Sequence, residues 1–275
     1  MRPGTSARAR TAITSTEAAR RPGDDLLGLL RDGELEVIGR LIGSSNNAMV
    51  VRVWPAGGAP STGSPPGPIE DGDVLAVWKP TAGERPLFDF PIGTLTRREV
   101  AAYLVSEAMG WAIVPPTVLR DGPYGEGMLQ QWIDIDPDAD VIALVNDDDA
   151  RLRRVAVFDA VVNNTDRKAG HLLPIPGGHL HAVDHGVTFS IEPKLRTVLW
   201  AWEDEPFEAD EVAALARVRD ALGKGAVPGP LAVALAELLS IHEVDATRAR
   251  VAALLVSGRF PGPNPEWPAI PWPPY

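Results

Sequence analysis

The first half of the chain alternates apolar and polar residues, a pattern typical of half-buried strands. The alternation runs through residues 35–42 and 48–54 on either side of a Gly-Ser-Ser-Asn-Asn turn, which predicts a hairpin. A third strand is predicted over 74–80, where Pro80 ends it, and a second hairpin over 117–133. Between them, residues 96–111 predict one helix that ends near Gly110.

The second half is predicted to be mainly helical. Helices are predicted over 147–162, 208–222, 229–240 and 245–257, with a short strand inside 179–186. An acidic connector near residues 130–140 separates the two halves. This order of elements predicts an α+β fold with two lobes, the first rich in strands and the second in helices.

Domain boundaries follow from changes in composition. We predict a disordered tail over 1–22, a first lobe over 23–133 and a second lobe over 134–260. The segment 56–73 is rich in Pro, Gly and Ser and is predicted to be an exposed, mobile loop. Residues 261–275, rich in Pro and Trp, are predicted to pack on the second lobe.

Composition narrows the function classes. The 275 residues carry a net charge of -11 and no cysteine, which excludes disulfides, thiolate metal sites and a cysteine nucleophile. Nucleic-acid binders and proteins of anionic membranes usually have the opposite charge, so we expect no nucleic-acid partner. No stretch of about 18 apolar residues and no signal peptide is recognisable. We therefore expect a cytoplasmic protein without stable membrane insertion.

Several polar residues of the first half suit phosphoryl transfer, which needs a lid over the phosphates and a lysine that contacts them. Ser44 and Ser45 lie in the predicted hairpin turn and could bind phosphate, although an ordinary turn is the simpler interpretation. Lys79 lies near the end of the third strand, directly before Pro80. Glu99 could form an ion pair with Lys79 or close a capping box that begins at Thr96, and the local sequence leaves both open.

Two aspartates in the second half complete the pattern. Asp166 follows a helix predicted to be buried, and Asp184 follows a short apolar strand and precedes His185 and Gly186. Such a pair can face one metal–nucleotide site. The alternative is that one aspartate ends a helix and the other starts a turn.

Three separated blocks resemble the phosphatidylinositol 3-/4-kinase-like group, nearest to type II phosphatidylinositol 4-kinases and including bacterial members. They are Lys79, the helix in REVAAYLVSEAMGWAIVPPT (98–117), and NNTDRKAGHLL with HAVDHGVTF (163–173 and 181–189). The resemblance covers roughly residues 35 to 190 in the family order. It implies a protein-kinase-like fold and an ATP-dependent kinase that uses Mg²⁺ or Mn²⁺.

The resemblance also implies roles for individual residues. Lys79 would bind the phosphates, Glu99 would orient Lys79, and Asp184 would hold the metal ion. Asp166, flanked by Arg167 and Lys168, would be the catalytic group. The hinge beside the adenine would lie in MLQQWI and contact it mainly through backbone groups; its residues are Gln130, Gln131 and Trp132.

His171 departs from the family pattern, which has a metal-binding Asn five residues after the catalytic Asp. Imidazole suits Mn²⁺ better than Mg²⁺, so an altered metal preference is one interpretation. On this interpretation the site should weaken as His171 protonates below about pH 6.5. The others are that Asn163 or Asn164 takes this position, or that catalysis is weak. A pseudokinase, kept as a nucleotide-binding scaffold, and a protein Ser/Thr kinase of the HipA type therefore remain alternatives.

The phosphate acceptor is not identified by any motif. Net charge of -11 and the absence of cysteine for acylation disfavour firm docking on an anionic membrane. We therefore expect a soluble protein or small-molecule acceptor, with phosphatidylinositol as the minority alternative.

Overall fold

The computed structural model describes residues 22–41, 46–57, 73–225 and 227–275. Ser44, Ser45, the first 21 residues and most of the predicted loop 56–73 lie outside the described residues.

The first lobe is built on a five-stranded antiparallel sheet. Its strands are β1 (Glu34–Arg40), β2 (Met49–Trp54), β3 (Val74–Pro80), β4 (Thr117–Gly122) and β5 (Gly125–Gln131). They lie in the order β1-β2-β3-β5-β4, so both predicted hairpins and the third strand are confirmed. The sheet buries an apolar cluster in which Val51, Ala76 and Trp78 have no exposed surface.

Two helices accompany this sheet. Helix α2 (Leu95–Met109) confirms the predicted helix and ends at Gly110, whose φ of 75° is a left-handed conformation that glycine adopts without strain. Helix α1 (Pro22–Asp32) was not predicted, although its leucines repeat on one face. Leu30 of α1 is fully buried in the cluster of the sheet.

Strand β3 is held close to β5 at the end that carries Lys79. Gly127 of β5 lies opposite Pro80, and a Cβ atom at Gly127 would come within 2.5 Å of the Lys79 carbonyl oxygen. Only glycine allows this approach. The sheet thereby fixes where the lysine leaves the strand.

The second lobe is mostly helical, as predicted. Its helices are α3 (Val141–Leu144), α4 (Ala150–Val162), α5 (Ala209–Leu222), α6 (Pro230–Ala236) and α7 (Ile241–Ser257). Its paired strands are β6 (Leu172–Pro174) with β7 (Leu180–Ala182), and β8 (Gly223–Lys224) with β9 (Val227–Pro228). Helix α4 is buried almost throughout and forms the centre of a large apolar core.

The differences from the sequence prediction in this lobe include two helix starts that are set by side-chain caps. Helix α7 begins four residues before the predicted start at 245, because Ser240 and Glu243 form a capping box there. The acidic connector is followed by the short helix α3, whose first N–H groups donate to the Asp140 carboxylate. Both starts depend on side-chain caps rather than on apolar periodicity.

The C-terminal segment 261–275 lies along the second lobe. The carbonyl oxygen of Ala269 accepts hydrogen bonds from the Thr197 backbone N–H and the Trp200 indole. Further along, the carbonyl oxygen of Pro274 accepts one from the Ala169 N–H at 2.9 Å. These bonds fasten the segment to the loops that contain Ala169 and Thr197.

The strand-rich lobe with one main helix, followed by the helical lobe, confirms the predicted two-lobed α+β fold class. None of the helices that the structure describes is long and apolar enough to cross a membrane.

Candidate active site

A cavity of about 450 Å³ lies between the two lobes, and we call it the inter-lobe cavity. Strand β3, the end of β5 and the segment after it form one wall, and the loops before β6 and after β7 form the other. Its polar or charged lining residues are Asn46, Lys79, Gln130, Gln131, Trp132, Asp166, Lys168, His171 and Asp184. The cavity therefore brings together eight of the predicted site residues.

Lys79 joins the two lobes. Its ammonium donates to Glu99 Oε1 at 2.6 Å and to Asp184 Oδ1 at 3.0 Å, a residue 105 positions away in the sequence. Burial alone would lower the pKa of Lys79, but the charges of Asp184 and Glu99 raise it above its ordinary value. The lysine is therefore a fixed positive charge at the wall of the cavity.

Glu99 forms the ion pair rather than the capping box. Helix α2 begins after Thr94, so Thr96 lies inside the helix and does not cap it. The second oxygen of Glu99 accepts a hydrogen bond from the His185 backbone N–H at 2.7 Å. Glu99 is buried and ties Lys79 to the chain immediately after Asp184.

Asp184 is held in an unusual backbone conformation. Its φ of 62° lies in the left-handed region, which costs free energy for a residue other than glycine and tends to occur at functional sites. The Lys79 charge holds the pKa of Asp184 well below its usual range, against the effect of burial. Since 47% of its side chain is exposed, the ionised carboxylate is accessible from the cavity.

His171 lies beside Asp184, with 3.4 Å between its Nε2 and Asp184 Oδ2. Burial lowers the pKa of His171 to about 4, although the Asp184 charge acts in the opposite direction. The expectation that it protonates below about pH 6.5 is therefore wrong for the folded chain. The imidazole is neutral near pH 7 and can act as a ligand.

Neither asparagine of the alternative interpretation faces the cavity. The Asn163 amide donates to the carbonyl oxygens of Ser190 and Glu192, and its oxygen accepts from the Lys194 N–H. Asn164 is fully buried; its amide donates to the Asp159 carboxylate of α4, and its side-chain oxygen accepts from the Asp166 N–H. The interpretation that Asn163 or Asn164 replaces the missing metal-binding asparagine is therefore wrong, because both side chains form hydrogen bonds within the second lobe.

Asp166 lies at the cavity wall next to Lys168. Asp166 Oδ2 is 3.2 Å from the Lys168 ammonium, and the Asp166 backbone N–H donates to the Asn164 side chain. Burial raises the pKa of Asp166, and the Lys168 charge opposes this shift. Asp166 is about one-third exposed, so it can meet a ligand.

Arg167, predicted among the catalytic residues, does not face the cavity. Its guanidinium is fully buried and forms two 2.9 Å hydrogen bonds with Asp159 of α4. It also contacts the Val183 carbonyl oxygen at 3.0 Å and the His185 ring at 2.6 Å. Arg167 therefore positions the loops of Asp166 and Asp184 from behind instead of contacting a ligand.

The predicted hinge lies at the opposite end of the cavity. The Gln130 amide donates to Thr117, and the backbone N–H groups of Gln131 and Trp132 donate to carbonyl oxygens of Pro116 and Leu75. These groups are therefore occupied by hydrogen bonds within the first lobe. Ile133, the last residue of the predicted hinge segment MLQQWI, also lines the cavity, although it was not among the residues singled out there.

Three further residues around the site were missed by sequence reasoning. Asn46 lines the cavity beside Lys79, Asp159 anchors Arg167, and Arg196 exerts its charge on Asp166. Asn46 lies in the same turn as the predicted Ser44 and Ser45, so its position was a usable signal. Asp159 and Arg196 belong to no motif that the sequence displays.

Comparison with known proteins identifies a relative whose sequence matches this chain over most of its length. The chain matches none of the protein-family models. It is similar to a Helicobacter pylori proinflammatory kinase, CtkA, in crystal structure; the match covers 82% of this chain and 97% of that chain, with a TM-score of 0.42 and 12% identity. That likeness is too weak to carry a functional argument. In sequence, the chain is 40% identical over 285 residues to Protein Rv2133c of Mycobacterium tuberculosis, covering 91% of this chain and 95% of that protein. Because this identity extends over nearly the whole of both proteins, the chain belongs to the family of Protein Rv2133c.

Proposed function

We propose that this protein is an ATP-dependent phosphotransferase that moves the γ-phosphate of ATP to a hydroxyl group. The observation that carries the proposal is the contact of Lys79 with both Glu99 and Asp184 at the wall of a cavity that also contains Asp166. A lysine, a metal-binding aspartate and a second aspartate for the acceptor are the parts that phosphoryl transfer requires.

The nucleotide would lie along the inter-lobe cavity with its phosphates at Lys79. The ammonium is already oriented by Glu99, so little ordering of the side chain is needed when phosphate binds. At the other end, the apolar side chains of Val77 and Ile133 flank the space for the adenine ring. Because the N–H groups of Gln131 and Trp132 are occupied, we assign the adenine hydrogen bonds to the backbone of Ile133.

Asp184 and His171 would hold the metal ion that accompanies ATP. Protein Mg²⁺ sites in such enzymes use one or two carboxylates, with phosphate and water completing the shell. An accessible ionised carboxylate beside a neutral imidazole fits this small donor set, with a preference for Mn²⁺. Within the described ranges no group of three His, Cys, Asp or Glu residues surrounds one point, so phosphate must supply ligands. The metal ion, when bound, neutralises charge on the phosphates.

We assign to Asp166 the role of binding the acceptor hydroxyl and accepting its proton. Its carboxylate accepts the hydroxyl proton while the oxygen attacks the γ-phosphorus, and the bond from that phosphorus to the bridging oxygen of ADP breaks. Lys168, which lies 3.2 Å from Asp166, would contact the oxygens of the phosphate in transit. Burial of Arg167 against Asp159 keeps this loop in place.

Nucleotide binding tests the proposal directly. ATP with MgCl₂ or MnCl₂ should raise the melting temperature of the full chain, since a ligand at 100 times its dissociation constant contributes about 2.7 kcal/mol. Lys79→Met should lose most of this shift. The matched control is Lys224→Met, which removes an exposed lysine of β8 far from the cavity.

Asp184→Asn provides a second variant, because removing Lys79 leaves two carboxylates without their cation. Asparagine tolerates the left-handed conformation that Asp184 adopts, so this change removes charge with little backbone strain. The metal-dependent part of the melting shift should disappear. A wild-type protein whose melting temperature responds to no combination of ATP and either metal would refute the proposed function.

A further inference from the structure

A second cavity of about 370 Å³ is also lined by Asp166 and Asp184. It shares Asn46, Asp166 and Asp184 with the inter-lobe cavity, so the two spaces meet at these residues. A molecule in the second cavity could therefore reach Asp166 while a nucleotide occupies the inter-lobe cavity. In phosphoryl transfer, the acceptor hydroxyl lies beside such a carboxylate.

The lining of the second cavity has more positively charged side chains than its aspartates pair with. Each aspartate in its lining has a cation beside it: Asp89 has Lys194 at 2.5 Å, Asp166 has Lys168, and Asp184 has Lys79. Two arginines of the lining form no such ion pair, although the charge of one of them, Arg196, acts on Asp166.

These arginines are Arg85 and Arg196. Neither guanidinium forms an ion pair or hydrogen bond with a residue that the structure describes, and Arg196 Nε is buried without such a partner. A buried donor left without a partner costs free energy, which an anionic ligand can recover. Guanidinium groups also match the oxygen geometry of phosphate and carboxylate.

An apolar wall faces the arginines. Leu87, Phe88 and Trp267 line the cavity, and Phe88 has 93% of its surface exposed. A large aromatic residue so exposed beside two unpaired cations suits a ligand with both a carbon skeleton and an anionic group. Phe88 and Trp267 also border a larger groove of about 820 Å³, whose lining within the described chain includes neither Asp166 nor Asp184.

We propose that the second cavity is the acceptor site, and that the acceptor is a hydroxyl compound carrying a phosphate or carboxylate group. Arg196 and Arg85 bind the anion, Phe88 and Trp267 contact the carbon skeleton, and the hydroxyl lies at Asp166. This assignment rests on the proposed phosphotransferase function, because it supplies the second substrate of that reaction. The same anionic chemistry is offered by a free phosphate ester and by a lipid headgroup.

Calorimetric titration of the full chain tests the assignment. The protein is first saturated with a non-hydrolysable ATP analogue and MnCl₂, so that added anions cannot occupy the site of the ATP phosphates. It is then titrated with glycerol 3-phosphate and, separately, with glycerol. Binding to vesicles containing phosphatidylinositol is measured by co-sedimentation. Glycerol 3-phosphate should bind about tenfold or more tightly than glycerol, since hydrogen bonds to a charged group are worth roughly that factor.

Variants locate the binding. Arg196→Gln should weaken glycerol 3-phosphate binding by about tenfold or more. Because Arg196 is partly buried and could affect folding, Arg85→Gln, which changes an exposed side chain, serves as a second variant with the same direction of effect. Arg219→Gln, an exposed arginine of α5, is the matched control and should bind as wild type.

The outcomes separate the two proposals. If the analogue binds but no anion does, or if both arginine variants bind glycerol 3-phosphate as wild type does, the acceptor assignment is overturned while the proposed function stands. If the analogue itself fails to bind, the proposed function falls and the acceptor assignment falls with it. Vesicle binding that requires Arg196 assigns the anion to a lipid headgroup, whereas binding of glycerol 3-phosphate alone assigns it to a soluble ester.

Discussion

Asp166 lies between two cavities, and replacing its carboxylate should separate turnover from nucleotide binding. The side chain contacts Lys168 but not Lys79, so Asp166→Asn should bind ATP with nearly wild-type affinity. Losing a group that accepts the acceptor proton should lower kcat by about 10²- to 10⁴-fold. Nucleotide titration and phosphate transfer measured on the same preparation check both parts. An Asp166→Asn variant that loses nucleotide affinity as severely as Asp184→Asn would contradict the assigned roles.

The pH dependence of turnover should reflect the environment of Asp166. Burial raises the pKa of this carboxyl group, and Lys168 partly opposes the shift. The base must be ionised, so kcat should fall as the pH drops through a pKa above the ordinary value of about 3.9. Lys168→Met removes the opposing charge and should move this acid limb to higher pH. If the acid limb of the kcat profile does not move in Lys168→Met, the group whose protonation lowers kcat is not Asp166.

His171 should determine which metal ion supports activity. Its neutral imidazole faces Asp184, and imidazole suits Mn²⁺ better than Mg²⁺. The wild type should therefore be more active with Mn²⁺, and His171→Asn should move the activity ratio towards Mg²⁺. His179→Asn is the control, because the His179 ring is exposed and contacts the Ala112 carbonyl oxygen instead. An unchanged ratio in His171→Asn would place this residue outside the metal shell.

At the scale of elements, the C-terminal segment supports the loop that carries the site. The Pro274 carbonyl oxygen accepts a hydrogen bond from the Ala169 N–H, two residues before His171. Deleting residues 274 and 275, which removes the Pro274 acceptor, should lower kcat several-fold and cost about 1 kcal/mol of stability, the usual contribution of one hydrogen bond. Deleting Tyr275 alone retains the Pro274 acceptor and should have little effect. Equal kcat values in the two truncations would show that the segment does not hold the loop.

At the scale of the whole molecule, net charge bears on the acceptor. Each Lys or Arg near an anionic membrane contributes about 1 kcal/mol of attraction, but this chain carries a net charge of -11. Vesicles of phosphatidylinositol should therefore retain little protein in flotation at physiological salt. Phosphatidylinositol should also be labelled from radioactive ATP more slowly than some soluble component of a cell extract. Rapid phosphatidylinositol phosphate formation with no soluble product would overturn this expectation and favour the minority acceptor.

The sequence determined the elements whose signals are local. Alternation and helical spacing placed the five strands of the sheet, α2 and α4, because each pattern records one buried face within about ten residues. The order of motifs also singled out Lys79, Asp166, His171 and Asp184 as a set. The start of α7 at Ser240 was missed, since the reciprocal side-chain hydrogen bonds of a capping box outweighed periodicity there.

The tertiary structure decided what each polar residue contacts. Glu99 had two possible roles in its local sequence, and the approach of Lys79 and His185 selected the ion pair. Arg167 was adjacent to a candidate catalytic residue, yet its partner Asp159 lies in the buried helix α4 and turns it away from the cavity. Burial also set the pKa of His171 at about 4, which no reference value could give. These outcomes depend on distances between residues far apart in the chain and on exclusion of water, and neither quantity exists before the lobes pack together.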